Sequence, residues 1–105
     1  MPKRLTKSQH AAMLDLIAEV NRNDITTRTE LMVGLAENEL PEWFADWPLW
    51  SAGENTPGYM PDSPYRLFLT ERAARGYCRE LEREGGGRDY VSDYMPTTLR
   101  EVLAR

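Results

Sequence analysis

Tyr65-Arg66-Leu67-Phe68-Leu69-Thr70-Glu71-Arg72 is the stretch on which the reading of the chain turns. Its first five residues alternate and are rich in aromatic and aliphatic types, the pattern of a short strand. Thr70 can then cap a helix over 71–84, whose inner face is assigned to Ala74, Tyr77, Cys78 and Leu81 at helical spacing. Trp50 and its neighbours are the natural opposing strand. Residues 51–64 read as a loop punctuated by Gly53, Pro57, Gly58, Pro61 and Pro64, the tip of an irregular hairpin.

Upstream of this junction the pattern is helical. Thr6 and Gln9 have the spacing of a capping box, in which two side chains satisfy orphan backbone donors reciprocally. Met13, Leu16, Ile17 and Val20 then form one apolar face, predicting a helix over 6–22. A second box, Thr27 to Glu30, opens a helix with Leu31, Met32, Leu35 and Ala36 that runs to about Asn38. Ile25-Thr26 between them suits a minimal strand or a turn. Pro41 starts a brief third helix, in which Trp43, Phe44 and Trp47 share a face as core residues and Pro48 stops it.

Downstream, Gly85-Gly86-Gly87 breaks the chain after the 71–84 helix. Tyr90, Val91, Tyr94 and Met95 fit a helical turn or two within 88–95, and a third box, Thr98 to Glu101, opens a last helix with Leu99, Val102 and Leu103. The expectation is a mostly α chain with a small β-hairpin, an α+β single domain. Its parts are a core over 1–84, the glycine break at 85–87, and a helical tail over 88–105 that packs on the core or dimerises.

Composition narrows the function. The chain has 105 residues, 41% apolar and 29% charged, a globular balance. Its net charge of −4 argues against a generally basic nucleic-acid binder. No apolar run approaches the roughly 18 residues of a membrane span, and Met1-Pro2-Lys3-Arg4-Leu5 does not lead into a secretory signal. One cysteine, Cys78, suits a reducing cytoplasm. His10 is the only histidine, so four Cys or His ligands for a structural zinc do not exist, and His10 lacks the glycine elbow of a serine hydrolase. No Lys-Ser or Lys-Thr follows the glycines as a phosphate loop requires. The reading is a non-enzymatic protein with no metal and no cofactor.

The element order, with the local pattern Tyr65–Arg72 followed by Ala73 to Leu81, resembles a winged helix-turn-helix domain of MarR- or PadR-like type. Ala73-Ala74 stand where that family usually carries a glycine after Leu-Thr-Glu and a basic residue. The resemblance implies DNA reading through the third helix and the wing, and dimer contacts through the terminal helix. The charge pattern disagrees on the DNA face. Residues 36–63 hold Glu37, Glu39, Glu42, Asp46, Glu54 and Asp62 and no Lys or Arg, a local −6 that phosphate would repel.

Two constellations remain. The acidic segment also carries Trp43, Phe44, Trp47, Trp50, Tyr59 and Met60, and aromatics beside carboxylates suit a protein interface that meets a basic surface. Glu42, Asp46, Trp50, Glu54, Tyr59 and Asp62 are the expected protein-binding residues. Arg72, Arg75, Arg79 and Arg83 step by three, four and four along the 71–84 helix, within an arc of about 80°. They are either a solvated face or a surface for nucleic acid or an acidic partner. The expected function is a cytoplasmic module that masks or bridges a partner surface. Accessory inhibitors of phages and mobile elements, such as an anti-CRISPR or other anti-defence protein, belong to this class. The alternative is a winged-helix transcriptional regulator that contacts DNA through the arginine helix, Arg28 and the Lys3-Arg4-Lys7 arm.

Overall fold

A computed structural model of the chain describes residues 4–54, 65–85 and 92–103. The chain divides into two units, Met1–Pro48 with Thr97–Arg105, and Leu49–Pro96.

In the first unit, α1 spans Lys7–Asn21 and its capping box is closed: the Gln9 N–H donates to Thr6 Oγ1 (3.1 Å) and the Thr6 N–H to Gln9 Oε1 (3.0 Å). Met13, Leu16 and Ile17 are buried. Two residues past the helix, Asn23 turns the chain in the left-handed region at φ 63°, and Ile25 turns inward without forming a strand. The next helix, α2 (Arg28–Glu37), is capped by Thr27, whose hydroxyl accepts from the Glu30 N–H (3.1 Å). Its box is only half closed, because the Glu30 carboxylate takes the Thr26 and Thr27 hydroxyls instead. Gly34 is buried, and a Cβ there would stand 3.2 Å from Leu16 Cδ2 and 3.4 Å from Ile25 Cδ1. Its missing side chain lets α2 lie close to α1.

Pro41 precedes a 3₁₀ helix, Glu42–Asp46, whose Phe44 and Ala45 are fully buried. A short helix, α4 (Leu99–Val102), packs against it. The third box position is again a working cap, since the Glu101 N–H donates to Thr98 Oγ1 (3.1 Å). Leu99 and Leu103 complete the core of this unit.

The second unit is a sheet covered by a helix. Strands β1 (Leu49–Glu54) and β2 (Arg66–Phe68) are antiparallel, with Trp50 opposite Phe68 and Ser51 opposite Leu67. A third strand, β3 (Ser92–Thr97), lies on the other side of β1, giving a three-stranded antiparallel sheet in the order β2-β1-β3. Helix α3 (Glu71–Gly85) starts at Thr70, whose hydroxyl accepts from the Ala73 N–H (3.1 Å). Ala74 and Cys78 of α3 pack on Ala52 of β1, with Trp50, Phe68, Tyr77 and Tyr94 around them. The inner face of α3 is therefore the predicted one.

Three expectations change. Residues 51–54, read as loop, are strand, because Ala52 belongs to the helix-facing row with Trp50 and Gly53 has a use as a glycine. Residues 92–97 form a strand rather than the helical turns expected over 88–95, because β1 offers an open edge and Tyr94 packs beside Trp50. Residues 88–91 of that expectation lie outside the described residues. The hairpin is thus part of a larger sheet, and Pro96 in β3 lacks an N–H for further pairing.

The opposite face of the sheet explains Gly53. A Cβ there would fall 2.8 Å from Tyr65 Cδ1 and 3.1 Å from Tyr65 Cα. The Tyr65 ring crosses β1 at this gap, and its hydroxyl donates to Asp93 Oδ1 of β3 at 2.6 Å. One side chain thus ties all three strands. Partial desolvation of this still exposed ring, then the hydrogen bond to Asp93 and its negative charge, push the Tyr65 phenol up to about 12.

Gly53→Ala forces ring and backbone apart and is expected to lower stability by about 1–3 kcal/mol in urea unfolding. The phenol is held protonated in the folded chain, so the stability it contributes is complete below pH 10 and is lost as pH rises through about 12. Between those values the unfolding midpoint is expected to fall more steeply for the native chain than for Tyr65→Phe.

Candidate functional site

Each unit carries one strongly charged face. In the first, Glu37 ends α2, Glu39 sits in the left-handed region at φ 55°, and Glu42 opens the 3₁₀ helix. All three carboxylates are exposed, and Glu37 and Glu39 make no ion pair among the described residues. The chain turns here because the Asn38 side chain donates to the Gly34 carbonyl (2.7 Å) and Pro41 stops any continuation of α2.

Trp43 lies on Phe44 with ring centroids 4.2 Å apart and leans on Trp47 at 5.7 Å. Only Phe44 is buried; both indoles remain half-buried. Trp43 lies about 120° from Phe44 around the 3₁₀ helix, and Trp47 follows that helix in extended backbone (φ −64°, ψ 136°), so neither indole is carried inward with Phe44. The expected core trio is therefore one core residue under two surface-reaching indoles.

Asp46 has a different role from the one expected. Its carboxylate takes both Nε (2.8 Å) and a terminal nitrogen (3.3 Å) of Arg100, the two-point geometry of an arginine fork. Those hydrogen bonds, with the charges of Asp46 and Glu42, hold the Arg100 pKa above its usual value. Asp46 thus fastens α4 to the 3₁₀ helix, and its charge is already answered.

In the second unit, Trp50 meets the Tyr94 ring edge-on at 5.8 Å and belongs to the helix-facing layer, rather than standing out for a partner. Glu54 ends β1, partly exposed. Tyr59 and Asp62 lie outside the described residues. Of the six expected binding residues, Glu42 and Asp46 are exposed and stand next to the indoles in the chain, and Asp46 is also paired with Arg100. Trp43 and Trp47 join Glu42, and the signal available for the two indoles was the shortness of a helix held between Pro41 and Pro48.

The arginine stripe is present as spaced. Arg72, Arg75, Arg79 and Arg83 are all exposed on α3, on the side away from Ala74, Cys78 and Leu81. Arg75 pairs with Glu71 (2.7 Å) and sits 5.9 Å from the centre of the Tyr94 ring. Tyr94 and Glu71, in that order, raise its pKa. Arg72, Arg79 and Arg83 have no ion pair among the described residues. Gly76 lies beside the stripe, and a Cβ there would meet nothing within 4 Å. Arg4, Lys7 and Arg28 are exposed on the first unit, and Lys3 lies outside the described residues.

His10 is exposed. Cys78 is buried, and its thiol donates to the Asp93 carbonyl at 3.3 Å. Among the described residues no three His, Cys, Asp or Glu side chains are grouped to hold a metal ion, and no helix is long and apolar enough to cross a membrane.

No family model, curated protein or solved structure matches the chain.

Gly76 stands in a helix interior where neither packing nor a positive φ requires it. Gly76→Ala is expected to raise stability by about 0.5–1 kcal/mol, read as a higher urea midpoint at unchanged slope.

Proposed function

We propose that this protein is a non-enzymatic binding module that masks a basic surface on a protein partner. The observation that carries the reading is the three exposed carboxylates of Glu37, Glu39 and Glu42 on the segment that leads into the half-buried indoles of Trp43 and Trp47. Carboxylates steer a basic partner into place, and indoles supply contact area that shields those charges from water once docked. Asp46 supports the site from behind through Arg100. An accessory inhibitor of a phage or mobile element, an anti-CRISPR protein among them, fits this description, because covering a basic groove denies it to nucleic acid.

A second reading rests on the four exposed arginines of α3: a winged-helix regulator that contacts DNA through this helix, with Arg28 and the Lys3-Arg4-Lys7 arm. Its affinity for a duplex would fall steeply with salt.

The deciding experiment is capture from source lysate, with and without nuclease, by the native chain and by the triple variant Glu37→Lys, Glu39→Lys, Glu42→Lys. The proposal expects a protein that survives nuclease on the native chain and is lost on the triple variant, whose far-UV spectrum is unchanged. Equal capture by both chains rejects the acidic face, and capture that disappears with nuclease favours the DNA reading.

A further inference from the structure

The arginine stripe of α3 belongs to the second unit and the acidic face to the first. Three features of the helix bear on what it meets.

The first is that the stripe works against the helix that carries it. Arg75, Arg79 and Arg83 are successive i, i+4 neighbours of like charge, and such pairs weaken a helix. Only Arg75 has a carboxylate to offset it among the described residues. The second is Gly76, which leaves a notch at the stripe's edge with open space above it, so another backbone can come close there.

The third feature is the charge on either side. At 100° per residue, Glu80 lies on one flank and Glu71 and Glu82 on the other, each about 60–100° from the midline of the stripe. Glu71 is held by Arg75 and Tyr94, and Glu82 accepts from the Ser92 hydroxyl at 2.9 Å, so the flank nearer β3 is fixed. Positive charge thus runs as a single file between acidic borders.

That arrangement is the reverse of what a DNA groove needs. The major groove is about 12 Å wide and a helix with its side chains about 10–12 Å across, so the flanks of an inserted helix face the phosphate walls. With arginines towards the groove floor, Glu71, Glu80 and Glu82 would be pressed against phosphate. A partner with one row of carboxylates meets the file and not the borders. On an acidic helix, carboxylates at i, i+4 recur about every 6 Å, the same axial step as Arg75, Arg79 and Arg83. Each guanidinium can offer a carboxylate two parallel hydrogen bonds.

We propose that the exposed face of α3 docks an acidic helix of a partner protein, with Arg72, Arg75, Arg79 and Arg83 pairing its carboxylate row and Gly76 admitting its backbone.

The test uses the full chain and fluorescence anisotropy with four labelled probes: a 21-residue helical peptide with glutamates at every i, i+4 position of one face, a scrambled peptide of the same composition, a 20-base-pair duplex and a 20-nucleotide single strand. The striped peptide is expected to bind best. Arg79→Ala with Arg83→Ala should weaken it about tenfold, the sum of two exposed charge-assisted pairs. Gly76→Gln, which fills the notch, should weaken it about threefold while retaining the helical spectrum, since Arg79 and Arg83 are exposed and a Cβ at Gly76 meets nothing within 4 Å. Relief of the acidic border by Glu80→Gln should improve duplex binding and leave the striped peptide ahead. The proposal is overturned if either nucleic acid binds the native chain as tightly as the striped peptide. It is equally overturned if the scrambled peptide matches the striped one, if no probe binds, or if the arginine and glycine variants bind like the native chain.

Discussion

The contact of Ala74 and Cys78 on Ala52 is the constraint from which the second unit follows. Small side chains at the centre of a helix-on-sheet contact let the helix approach, and the large rings of Trp50, Phe68, Tyr77 and Tyr94 close the gap that its curvature leaves at the edges. With α3 held in this way, its rotation about its own axis is fixed. The arginines then have one direction available, away from the sheet. On the other face of the sheet the same economy of volume recurs, since Tyr65 reaches Asp93 only because Gly53 has no side chain.

Much of this was legible in the sequence where a local rule acts alone. Thr6, Thr27, Thr70 and Thr98 each cap the helix they were expected to cap, because a capping hydroxyl and the N–H that donates to it lie three residues apart and need nothing from the rest of the chain. The inner face of α3 followed from helical period for the same reason. What could not be read depends on distant partners. Strand β3 exists because β1 has an edge to offer, and nothing between Tyr90 and Met95 announces that edge. Gly53 looked like loop punctuation because its use is a contact with Tyr65, twelve residues away.

The candidate site shows the same division. The acidic run and the arginine file could be counted from the chain, yet the state of each charge could not. Asp46 looked like part of an open acidic surface until Arg100, fifty-four positions on, was seen to grip it. Trp43 and Trp47 share a face with Phe44 on an α-helical wheel, yet the helix is 3₁₀ and stops at Asp46, and both indoles stay half-buried. In both cases a one-dimensional pattern fixed which residues mattered, and the helix type or a remote ion pair fixed what they do.

The first unit is built from two pieces of chain, with the 48 residues of Leu49–Pro96 between them. For α4 to meet the 3₁₀ helix while that stretch is unfolded, a loop of this length must close, at an entropy cost of about 3 kcal/mol. Strands β1 and β3 remove that cost: they are neighbours and antiparallel, so the start of one and the end of the other emerge at the same end of the sheet. Folding of the inserted unit therefore shortens the loop that the discontinuous one has to close.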